Sequence, residues 1–198
     1  MNKIVAATKN KHKIIEIEKI LSEFDMSIIS RDDAGVPDIE IEEDGETFEE
    51  NSYKKAYEIM KLSGKPSIAD DSGLCVDYLD GAPGVMSARF TPSGDDDENN
   101  KKVLELLEGV PIEKRTARYV AVITLVYPDG RTISARGECE GHIMFEETGS
   151  NGFGYDPMFR PVGFDTTFGE IPSDIKNKIS HRAKALGILR EKLLADGK

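Results

Sequence analysis

Residues 3–24 read KIVAATKNKHKIIEIEKILSEF, and this stretch decides the fold class. Lys3-Ile4-Val5-Ala6-Ala7 is a short apolar run, suited to a buried strand. After the polar Thr8-Lys9-Asn10, apolar residues recur at Ile14, Ile17, Leu21 and Phe24, with Ile20 alongside, the spacing that lines one face of a helix. Strand, polar turn and helix in succession form an α/β opening. Downstream, Thr47-x-x-Glu50 is a capping box that starts a second helix through Tyr53, Ala56, Tyr57 and Met60 to a stop at Ser63-Gly64. Pro66-Ser67-Ile68-Ala69 enters another strand. Arg118–Tyr127 and Arg131–Ile143 flank Pro128-Asp129-Gly130 and read as a long hairpin. A last helix starts near Ser180 and buries Ala183, Leu186, Leu189 and Leu193. Strands joined partly by helices and partly by a hairpin imply a mixed sheet.

The chain has 198 residues, enough for one sizeable core or one core under two lobes, and not for two independent domains. No apolar run approaches the ~18 to 20 residues of a membrane span, and MNKIVAATKNK is no signal peptide. Thirty-seven acidic against 26 basic residues give a net charge of -11, which disfavours a nucleic-acid partner but leaves a small anion in a lysine-lined site open. Cys75 and Cys139 are the only cysteines and lack CxxC spacing, so a disulfide scaffold and a structural zinc are poor readings and a reducing cytoplasm is expected.

Five segments carry chemistry, each with a plainer alternative. Thr8-Lys9-Asn10-Lys11-His12-Lys13 lies between the first strand and helix, where free amides and the dipole favour an anion. Alternatively, Asn10 caps the helix and the lysines are solvated. In Asp38-Ile39-Glu40-Ile41-Glu42-Glu43-Asp44-Gly45, a strand would put Glu43 on the apolar-facing side, where a divalent metal would compensate it. A solvated acidic loop is the alternative; an EF-hand fails, since counting from Glu40 the twelfth position is Asn51. Asp70 and Asp71 stand at the end of an apolar strand, where carboxylates suit Mg2+, or else begin an Asx-turn at Ser72-Gly73. Gly152-Phe153-Gly154-Tyr155-Asp156 forms a loop whose rings could flank a nucleobase, with Asp156 accepting base-edge N–H groups, or whose rings cover the core. Lys176-x-x-x-Ser180-His181-Arg182 offers donors for keto oxygens or phosphate; the alternative is Ser180 as N-cap with His181 and Arg182 in water. Acidic residues at 95–98 read as the start of a solvated helix.

Taken together, TKNKHK, EEDGETFEENSYKKA, ADDSGL followed by GAPGVMSARF, GFGYDPMF and SHRAKAL resemble the inosine triphosphate pyrophosphatase family, the dITP/XTP pyrophosphatases, from residue 5 to residue 190. The resemblance implies an α/β fold, a long mixed β-sheet with flanking helices forming two lobes around a central cleft, the whole of residues 1–198 making one nucleoside triphosphate pyrophosphatase domain. It implies a Mg2+-dependent, cytoplasmic, usually homodimeric house-cleaning enzyme that hydrolyses dITP, ITP and XTP to the monophosphate and pyrophosphate. Thr8, Asn10 and Lys13, with Lys9, Lys11 and His12 between them, match the family's triphosphate loop. Glu43 and Asp71 match its metal and catalytic carboxylates, with Asp71 as general base, and Lys54 takes the place of its helical lysine. Ser72 matches a substrate contact, Phe153, Gly154, Tyr155 and Asp156 the base loop, and Lys176, His181 and Arg182 the grip on base and phosphates. The first loop departs from the family's pattern, since glycines common near Lys9 and His12 are replaced by bulky residues.

The rivals are a related pyrophosphatase preferring dTTP or UTP, a non-catalytic nucleotide sensor, and a calcium-binding interaction module. The FGYD and SHR motifs oppose the first, the presence of Glu43 and Asp71 the second, and the failed EF-hand spacing the third.

Overall fold

The computed structural model describes residues 2–196; the side chains of Lys11 and His12 lie outside the described residues, and with them the expectations placed there. The elements are β1 (Asn2–Ala6), α1 (Lys11–Leu21), β2 (Met26–Ile29), α2 (Phe48–Ser63), β3 (Ser67–Val76), α3 (Asp96–Leu106), β4 (Thr116–Val126), β5 (Thr132–Ile143), β6 (Phe159–Pro161), α4 (Ser173–Ile179) and α5 (His181–Ala195), with short 3-10 turns between them. Six strands form one sheet in the order β2-β1-β3-β4-β5-β6. β1 pairs in parallel with β2 and with β3, while β5 and β6 are antiparallel, so the sheet is mixed as expected. The β4–β5 connection is closed by Tyr127 N–H on the Arg131 carbonyl at 2.9 Å and Gly130 N–H on the Tyr127 carbonyl at 3.0 Å.

The chain divides into two compact units, Met1–Asp71 with Ala121–Gly137 and Ala185–Lys198, and Ser72–Val120 with Glu138–Lys184. In the first unit, strand alternation feeds two apolar clusters on opposite sheet faces. Ile4, Ile68 and Leu125 join Ile17 and Leu21 of α1 and Leu189 and Leu193 of α5. Their neighbours Val5, Ala69 and Val126 join Ala56 and Ile59 of α2. Each such side chain taken fully from water contributes roughly 1.5–3 kcal/mol. The second unit has one cluster, in which Leu74, Val76, Tyr119, Ile143, Phe159 and Phe168 meet Val103 and Leu107.

The capping box at Thr47 is present, with Glu50 N–H on Thr47 Oγ1 at 3.2 Å and Thr47 N–H on Glu50 Oε2 at 3.2 Å. Gly64 ends α2 in the left-handed region at φ 64°. Asp95 caps α3 by accepting from Glu98 N–H at 3.1 Å.

Three expectations are corrected and two short strands are added. Residues 38–45 form no strand: Ile39 N–H bonds the nearby Pro37 carbonyl and the Ile39 carbonyl accepts from Arg31, so no ladder forms. β3 does not end at the aspartates but continues to Val76, which also removes the Asx-turn at Ser72. The short strands β2 and β6 were not anticipated. In α5, Ala183 is half-buried and Ala185 takes the fully buried position.

Candidate active site

In the first unit, alternation along β3 sends Asp70 and Asp71 to different lysines. Asp70, 2% exposed, pairs with Lys13 of α1. Asp71 Oδ1 accepts from Lys55 Nζ at 2.7 Å, and the same ammonium reaches Glu43 Oε1 at 2.8 Å and the Asp70 carbonyl at 3.1 Å. Burial drives the Asp71 carboxyl above the ordinary range, Lys55 opposes this and Glu43 adds to it. Burial pulls the Lys55 ammonium down, but Asp71 and Glu43 outweigh that and leave it raised. Asp71 Oδ2 is buried and has no hydrogen-bond partner among the described residues.

Glu43 reaches this cluster on a coil, held at both ends. Arg31 donates to the Ala7 carbonyl at 2.5 Å and the Ile39 carbonyl at 3.1 Å, joining the end of β1 to the acidic segment. Beyond Glu43, Gly45 N–H bonds the fully buried Asn51 Oδ1 at 2.8 Å, and Asn51 Nδ2 returns to the Gly45 carbonyl at 3.4 Å. A Cβ on Gly45 would stand 2.7 Å from Asn51 Oδ1, so only glycine fits.

The lysine that meets the carboxylates lies one residue beyond the expected one. Lys54, given that place from the sequence, pairs with exposed Asp44 at 2.5 Å, and Lys55 is the residue on the carboxylates. Helical period explains it: α2 buries Asn51, Ser52, Ala56 and Ile59, and Lys55 follows Asn51 by four and Ser52 by three, on the same side. Lys9 also points elsewhere, to Asp38 at 2.5 Å on an exposed surface. Asn10 caps α1, its Oδ1 accepting from Lys13 N–H at 3.2 Å, while Thr8 Oγ1 accepts from Asn10 N–H at 3.1 Å. The cap reading is therefore right for Asn10, but the solvated reading fails for Lys13, whose ammonium is paired with a buried carboxylate.

In the second unit, Arg182 Nη2 donates to Ser72 Oγ at 3.3 Å. Ser180 caps α5 through Ala183 N–H at 3.2 Å, yet His181 and Arg182 are buried and not in water. The His181 ring stacks on Tyr119, centroids 4.7 Å apart and planes within 10°. Tyr119 is a residue the sequence reading missed; as an ordinary alternating strand residue it carried no signal. Its hydroxyl donates to Asp156 Oδ1 at 3.3 Å, and burial, with Asp156 adding, holds its pKa well above the usual phenol range.

Asp156 does not serve as a free acceptor for base edges. It is 2% exposed, and Oδ2 accepts from Phe153 N–H at 2.9 Å and from Lys176 Nζ at 2.5 Å. Gly152, at φ 79°, lies against that carboxylate so closely that a Cβ would collide with it. Asp156 is thus the internal tie of the loop. Tyr155 is buried and donates to the Ser87 carbonyl at 2.7 Å, whereas Phe153 is 49% exposed with Lys176 Nζ 5.1 Å from its ring centre. Of the two rings, Phe153 is the exposed one. Gly154 donates its N–H to Asp96 Oδ2 at 2.9 Å and accepts at its carbonyl from Asn100 Nδ2 at 3.1 Å.

Among the described residues no group of three or more His, Cys, Asp or Glu side chains is arranged to hold a metal alone. The pair Glu43 and Asp71, with one buried carboxylate oxygen unpartnered, instead suits a hard cation that takes one or two protein carboxylates and completes its shell with phosphate and water. No helix among the described residues is long and apolar enough to cross a membrane.

Comparison with known proteins supplies the context for these two groups. The Ham1 family model matches residues 4–192. The chain is 48% identical to a dITP/XTP pyrophosphatase of Clostridium perfringens across 98% of both chains. It is 46% identical to one of Geobacter sulfurreducens across 98% of this chain and 97% of that one. A solved HAM1 protein of Coxiella burnetii superposes with a TM-score of 0.91 at 39% identity, covering 98% of this chain and 100% of the other. With the model match spanning nearly the whole chain and relatives this similar at full length, the chain belongs to the Ham1 family.

Proposed function

We propose that this chain, acting as a single catalytic domain, hydrolyses non-standard purine nucleoside triphosphates, dITP, ITP and XTP, to the monophosphate and pyrophosphate. The observation that carries the chemistry is the buried Asp71, anchored at Oδ1 by Lys55 with Oδ2 left unpartnered. The similarity to proteins named dITP/XTP pyrophosphatase supports the substrate class.

Water attacks the α-phosphorus while charge accumulates on the departing pyrophosphate. Asp71 receives the water's proton; burial favours the protonated product, as a general base requires. Mg2+ held by Glu43 and Asp71 would supply charge neutralisation and acidify water. Lys55 keeps the two carboxylates in register, and Lys13, held by Asp70, neutralises phosphate oxygens beside the amides of the Thr8–Lys13 turn. For the base, Phe153 is the stacking face, with Lys176 beside it. His181 and Arg182 direct donors at the 6-keto oxygen, Arg182 being steadied by Ser72. An adenine amino group would leave those donors unpaired, a mismatch that can discriminate by roughly 10⁴. The same reading places the enzyme in the cytoplasm as a homodimer, checked by fractionation and light scattering.

The test is incubation with Mg2+ and ITP, dITP or XTP, with GTP, ATP and dTTP in parallel, and separation of products by anion exchange. IMP and pyrophosphate from ITP with the standard nucleotides nearly untouched is the expected result. IDP and phosphate would overturn α-attack, preferential dTTP cleavage would overturn the purine assignment, and tight ITP binding without turnover would make the chain a sensor.

A further inference from the structure

The loop that carries Phe153 is fastened by a helix to which the catalytic reading gives no task. Both backbone groups of Gly154 are taken by α3, the N–H by Asp96 and the carbonyl by Asn100. The two residues are four apart in α3 and therefore project from one helix face. Neither is needed where it stands for the helix itself. Asp95 already provides the cap, and Asn100 is a polar residue buried to 1% exposure in the second turn, a costly place unless its amide is bonded. Its Nδ2 donates to two acceptors, the Gly154 carbonyl and Glu147 Oε2 at 2.9 Å, which fixes the amide's direction.

The fastening bears on Phe153 because the ring has little else to hold it. Tyr155 is buried and bonded through its hydroxyl, but Phe153 stands half in solvent. Its orientation is set through the backbone: its own N–H on Asp156, and both groups of the following Gly154, at φ 60°, on α3. A base stacked on this ring is presented edge-on to donors whose bonds weaken steeply with misalignment. We infer that Asp96 and Asn100 are positioning residues for purine recognition: by clamping Gly154 they set the Phe153 ring and, through it, selectivity among purine triphosphates. The inference rests on the proposed function, in that Phe153 is taken as the base platform.

The test compares Asp96→Ala, Asp96→Asn, Asn100→Ala and Phe153→Ala with the parent enzyme, measuring kcat and KM for ITP and ATP well below each variant's melting temperature. Loss of one hydrogen bond predicts a rise in ITP KM of about three- to tenfold for Asp96→Ala and for Asn100→Ala, with kcat nearly unchanged and a reduced preference for ITP over ATP. Asp96→Asn keeps an acceptor oxygen and retains the parent KM. A fall in kcat with KM unchanged, or an Asp96→Asn enzyme as impaired as Asp96→Ala, overturns the inference. Phe153→Ala separates the two levels. If it leaves ITP KM unchanged, the base-platform reading fails and the inference with it. If it raises KM while Asp96→Ala and Asn100→Ala do not, the inference alone fails.

Discussion

In the first unit the polar groups are held by opposite charge: Lys13 by Asp70, and Glu43 and Asp71 by one shared ammonium. In the second, apart from the ion pair of Lys176 with Asp156, they are held by backbone bonds and ring faces: Phe153 and Gly154 through their amides, His181 by stacking on Tyr119. The difference follows from the work proposed for each. A group that exchanges protons and meets phosphate must be able to change charge, and a neighbouring ion adjusts to that. A group that recognises a planar base must hold an angle, and amide geometry is stiffer than an ion pair.

That contrast can be broken hardest at Asp71. Asp71→Asn keeps the shape and removes the base, and the expected loss in kcat is about 10²- to 10⁴-fold, read in steady-state ITP hydrolysis. A loss below tenfold would transfer the base role elsewhere.

Lys55 sharpens the contrast next. Lys55→Met should lower kcat/KM by about 100-fold and cost on the order of 3 kcal/mol by stranding the buried Asp71 carboxylate, whereas Lys54→Met, at an exposed pair, should change activity less than about twofold. The stability loss has a sign in pH. Burial raises the folded pKa of Asp71 above its unfolded value, and removing Lys55 raises it further. The resulting stability is fully present below the unfolded carboxylate pKa and is lost as pH rises through the folded value. Melting curves of Lys55→Met should therefore approach the parent's below about pH 4 and diverge as pH rises above it.

In the second unit, Tyr119→Phe keeps the ring beneath His181 and removes only the long bond to Asp156, so ITP KM should rise about two- to fivefold with kcat preserved. The smallest effect concerns Cys139, whose thiol burial pushes up to about 11. Alkylation at neutral pH should spare it until the protein unfolds, as peptide mapping of the modified cysteines would show.

Much of the fold was legible from local period alone: α1 from its 3-and-4 spacing, α2 from its capping box, the β4–β5 hairpin from alternating runs around Pro128-Asp129-Gly130. What stayed hidden depends on distant partners. β2 and β6 have four and three residues, too few for a pattern, and exist because β1 and β5 pair with them. β3 runs through two aspartates because lysines 57 and 16 positions away compensate their charge. Of the site, residue types and motifs were readable, but roles within a motif were not. Lys54 and Lys55 differ only in helical phase, and Asp156 reads as a ligand group until its bonds to Phe153, Lys176 and Tyr119 are seen.

The mutual bond between Gly45 and Asn51 has a consequence for how the chain tolerates length changes. It closes a short ring of backbone whose far side runs directly into the helical turn bearing Lys55, so the count of residues from 45 to 55 is a gauge that sets Glu43 against its lysine. One residue inserted inside that gauge would rotate Lys55 by about 100° around the helix or tear open the ring. An insertion between Asp38 and Glu42, outside it, would only lengthen a coil. Insertions and deletions in functional variants should therefore gather before the glycine and be absent after it.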